Sequence, residues 1–177
     1  MAAQLRYVDP TRMPGRFARF YAALAATRVA GFISRHVNWK IDPLLLRITR
    51  GRMATTLVFP TALLETRGAR SRALRRNAII YFHDGDRGII VASNAGSAKH
   101  PGWYHNPSAY PDVTFGGMPM RATAVHDDAE RERLWALADR VFPAFSNYRH
   151  DAAKVGRRIP IVQLTRPDDM RSQGPVR

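Results

Sequence analysis

Apolar positions along the chain change period near residue 53, from helical spacing to short runs of strand length. Phe17, Phe20, Tyr21 and Leu24 recur at i, i+3, i+4 and i+7, which predicts an amphipathic helix over residues 16–32 with arginines beside its apolar stripe. Asp42 before Pro43 reads as an N-cap with proline at the first helical position, opening a short helix through Leu44, Leu45 and Leu46 that stops near Gly51. Beyond it, residues 57–65, 74–82 and 88–93 are apolar or β-branched runs. They are separated by an arginine-dense turn and by Asp84-Gly85-Asp86, a hairpin signal. Residues 113–115 and 120–125 predict a second hairpin across Gly116-Gly117. Asp127 or Asp128 can cap a helix that buries Leu134, Leu137, Ala138 and Val141. Residues 142–150 read as an aromatic loop, and residues 159–164 as a final strand with Pro160 at its start or edge. Residues 1–11 lack periodicity and read as loose; residues 166–177 read as a polar tail. Five or six short antiparallel strands with few helices imply an α+β sheet or small barrel.

Charge adds a partner class to this outline. The formal net charge is +14, which implies phosphate, polycarboxylate, nucleic acid or anionic lipid as counterpart. Ten Lys and Arg residues lie within residues 1–52 against Asp9 and Asp42, so more than half of the excess is N-terminal. A basic amphipathic helix can lie on an anionic membrane or pack on its own domain. The 177 residues suit one ordinary domain core, and the absence of cysteine excludes disulfides and zinc–thiolate sites. The N-terminal stretch has no apolar signal region, and its uncharged run at residues 20–27 is too short to cross a bilayer. The expected location is cytoplasmic, with peripheral contact to the inner face of the membrane as an option. Six histidines show no metal-ligand spacing, so no metal is expected.

The candidate chemistry lies between residues 66 and 106. Arg67, Arg70, Arg72, Arg75 and Arg76 crowd around Gly68, where a glycine turn offers backbone N–H groups and guanidinium forks offer paired donors to an anion. Ser93, Asn94, Lys99, Trp103 and Asn106 then form a polar loop that ends in an aromatic wall. On composition alone the turn could equally be a solvated hairpin, and Trp103 and Tyr148 could be core residues.

The run TRGARSRALRRNAIIYFHDGDRGIIVASNAGSAKHPGWYHNPSAYPDVTF, with the later RRIPIVQL, closely resembles the deazaflavin-dependent nitroreductase family of actinobacteria, from about Leu63 to Leu164. The resemblance implies a split β-barrel of the FMN-binding type, with about six antiparallel strands and N-terminal and peripheral helices. It also implies coenzyme F-420, an 8-hydroxy-5-deazaflavin, as hydride donor to a small organic acceptor. Residues 53–165 would form the deazaflavin-binding domain, residues 1–52 a basic helical extension, and residues 166–177 a tail.

By the same resemblance, Arg70, Ser71 and Arg75 hold the coenzyme's phosphodiester and acidic tail. Ala92, Ser93, Asn94 and Ala95 run along the ring, and Trp103 and Asn106 wall it. Arg70 stands where lysine is usual and Arg72 where glycine is common. Asn94 stands where many members have lysine, a loss that Lys99 or Arg72 could offset. Phe142, Phe145 and Tyr148 match the segment on the substrate side, with Tyr148 as the candidate catalytic phenol. Some nitroreducing relatives carry tyrosine where this chain has Phe142 and Phe145, which favours quinones or enones over nitroimidazoles and predicts that Phe145→Tyr raises nitroreduction. A split barrel holding a lipid, a fatty acid or FMN without turnover is the second reading. Specific nucleic-acid binding has only charge in its favour.

Overall fold

The structure is a computed structural model that describes residues 5–12 and 59–167. Its six strands are β1 (Thr61–Arg67), β2 (Leu74–Asp84), β3 (Arg87–Val91), β4 (Asp112–Phe115), β5 (Met118–Ala124) and β6 (Ile161–Thr165). All pairings are antiparallel and the sheet closes in the order β1-β2-β3-β6-β5-β4. The helices are α1 (Asn106–Ala109), α2 (Asp128–Val141) and α3 (Ala144–Lys154). The expected antiparallel barrel is therefore present.

Side-chain alternation explains the closure. In β3 and β6 successive apolar residues point to opposite sides, and both sides are covered. Ile90, Ala92, Val162 and Leu164 join Leu64, Tyr81, Phe115 and Trp103 in one cluster, inside the barrel. Phe82, Ile89, Val91 and Ile161 join Leu134, Trp135, Phe142 and Phe145 in another, between barrel and helices. Each large side chain so buried contributes about 1.5–3 kcal/mol against exposure. That is why β3 carries the unbroken apolar run Ile89-Ile90-Val91 and β6 is apolar but for Gln163 and Thr165.

β2 is long enough to serve two neighbours, pairing with β1 over Leu74–Ile80 and with β3 over Tyr81–Asp84. Gly116 and Gly117, at φ 56° and 82°, take the paired left-handed conformations of a tight hairpin between β4 and β5. Asp127 caps α2, its Oδ1 accepting from the Glu130 N–H at 2.7 Å. The β2–β3 hairpin is clamped to that helix. Arg87 donates to Asp84 and to Glu130, and Arg133 donates to both carboxylates as well. These bonds hold the Asp84 and Glu130 carboxyls below their usual range, through Arg133 first.

Two expectations need correction. Residues 5–12 are not loose: the Val8 N–H donates to His83 Nδ1 at 3.0 Å, the His83 N–H donates to the Val8 carbonyl at 2.8 Å, and the Tyr81 hydroxyl donates to the Arg6 carbonyl at 2.9 Å. Aperiodic polar sequence hid a segment that packs through backbone bonds. The aromatic stretch after residue 142 is not a loop, because Ala144–Lys154 is the helix α3. Phe145 and Ala152 lie buried on it, a spacing masked by the neighbouring aromatics. The N-terminal helices expected over residues 16–51 lie outside the described residues, as does most of the tail.

Candidate functional site

The arginine turn is tight because its backbone folds back on itself. Gly68 N–H donates to the Ala73 carbonyl and Arg72 N–H to the Gly68 carbonyl, both at 2.8 Å. A Cβ on Gly68 would lie 2.7 Å from Ser71 Oγ and 3.3 Å from the Ala73 carbonyl, so a larger residue there would displace the Ser71 side chain. Arg72, at φ 56°, occupies a left-handed position that glycine would take without strain. The forks then project outward. Arg76 pairs with Glu65 at 2.7 Å and Arg67 lies over the Tyr110 ring at 4.7 Å. Arg70, Arg72 and Arg75 are exposed and have no carboxylate partner among the described residues; Arg75 Nη2 donates to Ser71 Oγ at 3.3 Å.

Asn106 joins this turn to the loop behind it. Its amide nitrogen donates to the buried Thr66 hydroxyl at 2.8 Å, and its carbonyl oxygen accepts from the Ala69 N–H at 3.1 Å. Trp103, three residues earlier, is packed in the barrel interior and only 6% exposed. Its ring belongs to the core, and it supports the loop from beneath.

The loop after β3 carries the other expected residues. Ala92 is fully buried at the strand end, Ser93 is half-buried and Asn94 exposed. Asn94, Ala95 and Gly96 have φ of 47°, 48° and 75° in succession, a left-handed turn that side chains disfavour. Asn94 Nδ2 donates to the Lys99 carbonyl at 2.9 Å, and the Lys99 side chain is exposed. Gly96 lies flat on α3: a Cβ there would come within 3.1 Å of the Tyr148 carbonyl and 3.2 Å of its Cα. The turn at Asn94–Gly96 thus packs on the helix that bears Tyr148.

Phe142 and Phe145 are core residues, 8% and 4% exposed, packed edge-on to each other at 5.0 Å between centroids. Tyr148 leans on both, at 6.0 and 6.4 Å, and is half-buried. Neighbouring Arg149 donates to Asp139 and lies over the Trp135 ring at 4.5 Å, which fixes α3 on α2.

One residue of the site escaped sequence reasoning. Arg157 is buried and donates to the carbonyls of Ala92, Ser93 and Ser97 and to His100 Nδ1. Its place in the RRIPIVQL run marked it only as flanking a strand. His100 also neighbours Tyr104 and His105, with ring centroids 5.2 and 6.0 Å away. Burial first, then the Arg157 and His105 charges, pull its pKa below the ordinary histidine value. No group of three or more His, Asp or Glu suited to a metal occurs among the described residues.

Residues 40–166 match the family described as F420H(2)-dependent quinone reductase. The chain belongs to this family. It is similar to quinone reductases of that description from two strains of Mycobacterium tuberculosis, 34% identical over 149 residues that span 78% of this chain and 98% of theirs. A solved structure described as an F420-H2 dependent reductase, FDR-A, matches with 30% identity and a TM-score of 0.51, covering 59% of this chain and 93% of its own. The protein is accordingly an oxidoreductase of the coenzyme F-420-dependent type, and the split-barrel expectation stands. No helix among the described residues is long and apolar enough to cross a membrane.

Proposed function

We propose that this chain reduces a quinone with coenzyme F-420, using the arginine turn as anion seat and the 92–106 loop as ring wall. The observation that carries the reading is the set of exposed guanidinium groups on Arg70, Arg72 and Arg75, free of carboxylates among the described residues and tied through Asn106 to the loop. An unpaired cation cluster on a rigid turn fits a phosphodiester followed by a carboxylate tail.

The bound coenzyme supplies the hydride. The chain's residues bind, orient and protonate. Arg70, Ser71 and Arg75 hold the anionic portion, and Lys99 or Arg72 supplies the cation that Asn94 lacks. Ala92, Ser93, Asn94 and Ala95 lie along the ring, with Trp103 and Asn106 as the support behind. Phe142 and Phe145 form an apolar floor under Tyr148. The Tyr148 phenol orients the acceptor and donates a proton to the quinone oxygen as it becomes a hydroxyl. A flat, apolar, electron-poor acceptor suits such a floor.

The basic segment before residue 53 supports a second element of the reading, docking of a cytoplasmic protein on anionic lipid, where quinones dissolve. Co-sedimentation with anionic but not neutral vesicles, lost on deleting residues 16–35, is the expected result; equal sedimentation of both forms rejects it.

The central test compares fluorescence titrations with coenzyme F-420, FMN and fatty acid, followed by oxidation of the reduced coenzyme with naphthoquinones. Selective coenzyme binding with quinone turnover supports the reading. Binding of FMN or lipid without turnover would replace it by the non-catalytic alternative.

A further inference from the structure

We propose that Arg157 is the positioning residue of the coenzyme wall: one buried guanidinium bridges the carbonyls on both sides of the left-handed turn at Asn94–Gly96 and fixes its shape. Before the turn, Nη2 donates to the Ala92 carbonyl at 2.5 Å and Nη1 to the Ser93 carbonyl at 2.9 Å. After it, Nη1 donates to the Ser97 carbonyl at 2.6 Å and Nε to His100 Nδ1 at 3.1 Å. Four acceptors from one loop converge on one planar fork. The group is 8% exposed and no carboxylate pairs with it among the described residues. Burying a cation without a counter-charge is expensive, and backbone carbonyls compensate it only when several are aimed at it.

The fork is itself rigidly mounted. Arg157 N–H donates to the Ala152 carbonyl at 2.9 Å at the end of α3, and the Pro160 carbonyl accepts from the Ala92 N–H at 3.0 Å. Arg157 is thus fixed on one side by the helix that bears Tyr148 and on the other by the lead into β6. Ala95, left-handed without being glycine or asparagine, holds that conformation only where the surroundings impose it. The surroundings are Gly96 against Tyr148 and the guanidinium across the carbonyls. Lysine could not reproduce the bridge, since its three donors diverge from one nitrogen.

This inference rests on the functional reading of residues 92–95. Its test uses Arg157→Lys and Arg157→Gln in the full-length protein, with amide hydrogen exchange of Gly96 and Ser97 in the coenzyme-free state and fluorescence titration with coenzyme F-420. The expected result is at least tenfold faster exchange at Gly96 and Ser97 and at least tenfold weaker coenzyme binding in both variants, while Ile90 and Val162 amides in the barrel exchange as in wild type. If the Gln variant does not fold, the Lys variant decides. Unchanged exchange in the turn, or a loosened turn with wild-type affinity, overturns the proposal alone. Wild-type protein that binds no coenzyme overturns the functional reading, and this proposal with it.

Discussion

The Asn106 amide donates to the Thr66 hydroxyl at 2.8 Å, deep beneath the arginine turn, and so couples the end of β1 to the start of α1. Both side chains are buried, at 6% and 1% exposure, so the bond has no water to replace it.

Asn106→Leu keeps the branched heavy-atom shape with somewhat greater bulk and removes both bonds, leaving the Thr66 hydroxyl and the Ala69 N–H without the Asn106 partner. The loss costs about 1–3 kcal/mol at the buried Thr66 hydroxyl and less at the part-buried Ala69 N–H, which water can reach. A lower melting temperature together with weaker coenzyme binding is expected, and a variant as stable as wild type would show that the turn stands on its own.

Arg75→Glu is expected to leave the fold intact, because the side chain is exposed and, among the described residues, bonded to Ser71 alone. A charge-assisted contact is worth about 1.5–3 kcal/mol, so affinity for the coenzyme should fall by one to two orders of magnitude. The wild-type affinity should also drop as salt rises. Unaltered binding would remove Arg75 from the anion seat.

Arg72→Gly separates strain from contact. Relief of the left-handed conformation should stabilise the turn by about 0.5–1 kcal/mol after glycine's extra chain entropy is subtracted. If Arg72 also touches the anion, affinity falls while the melting temperature rises. A raised melting temperature with unchanged affinity would make Arg72 a bystander.

Acid should weaken the fold through two histidines. His83 Nδ1 accepts from the Val8 N–H and His100 Nδ1 accepts from Arg157 Nε, so each bond requires an unprotonated nitrogen. Burial first lowers both pKa values, helped by Arg166 at His83 and by Arg157 and His105 at His100. With folded values depressed, the unfolded chain binds protons first. Stability is then full above about pH 6.5 and declines as pH falls toward the folded values. The His83→Gln, His100→Gln double variant should show a flatter melting profile between about pH 5 and 7.5; an equal slope would place the acid sensitivity elsewhere.

Acceptor choice turns on Tyr148. Naphthoquinones should be turned over well and nitroimidazoles poorly, with Tyr148→Phe lowering quinone turnover at unchanged coenzyme affinity. The expected gain of nitroreduction in Phe145→Tyr does not survive the structure. Phe145 is 4% exposed inside the helix-facing core, so a hydroxyl there lacks a solvent path and costs about 1–3 kcal/mol if unpaired. Destabilisation is the expected effect. Fast nitroimidazole reduction by wild type, undiminished in Tyr148→Phe, would show that no phenol is required.

Apolar and β-branched runs and the glycine turns made the strands legible, and all six appear within a few residues of where those runs lie. Asp127 and the stripe through Leu134 and Ala138 made α2 legible too. What pattern could not give was the direction of a side chain. Trp103, Phe142 and Phe145 have the composition of a binding wall, yet all three turn into a core. Arg157 has the composition of a surface cation and turns inward, because its partners are backbone carbonyls, which no sequence pattern displays.

The position of β6 between β3 and β5 sets an order of assembly. β6 is the last described strand to leave the ribosome, and until residues 161–165 are made, β3 and β5 each present an open edge with no neighbour on that side. Pairing residue 88 with residue 164 closes a long loop, a slow step in a nascent chain. Arg157 emerges just before this strand, so the barrel's completion and the shaping of the 93–97 turn occur together. Half-made chains therefore have neither, and a lesion that slows insertion of β6 prolongs the exposure of two adhesive edges.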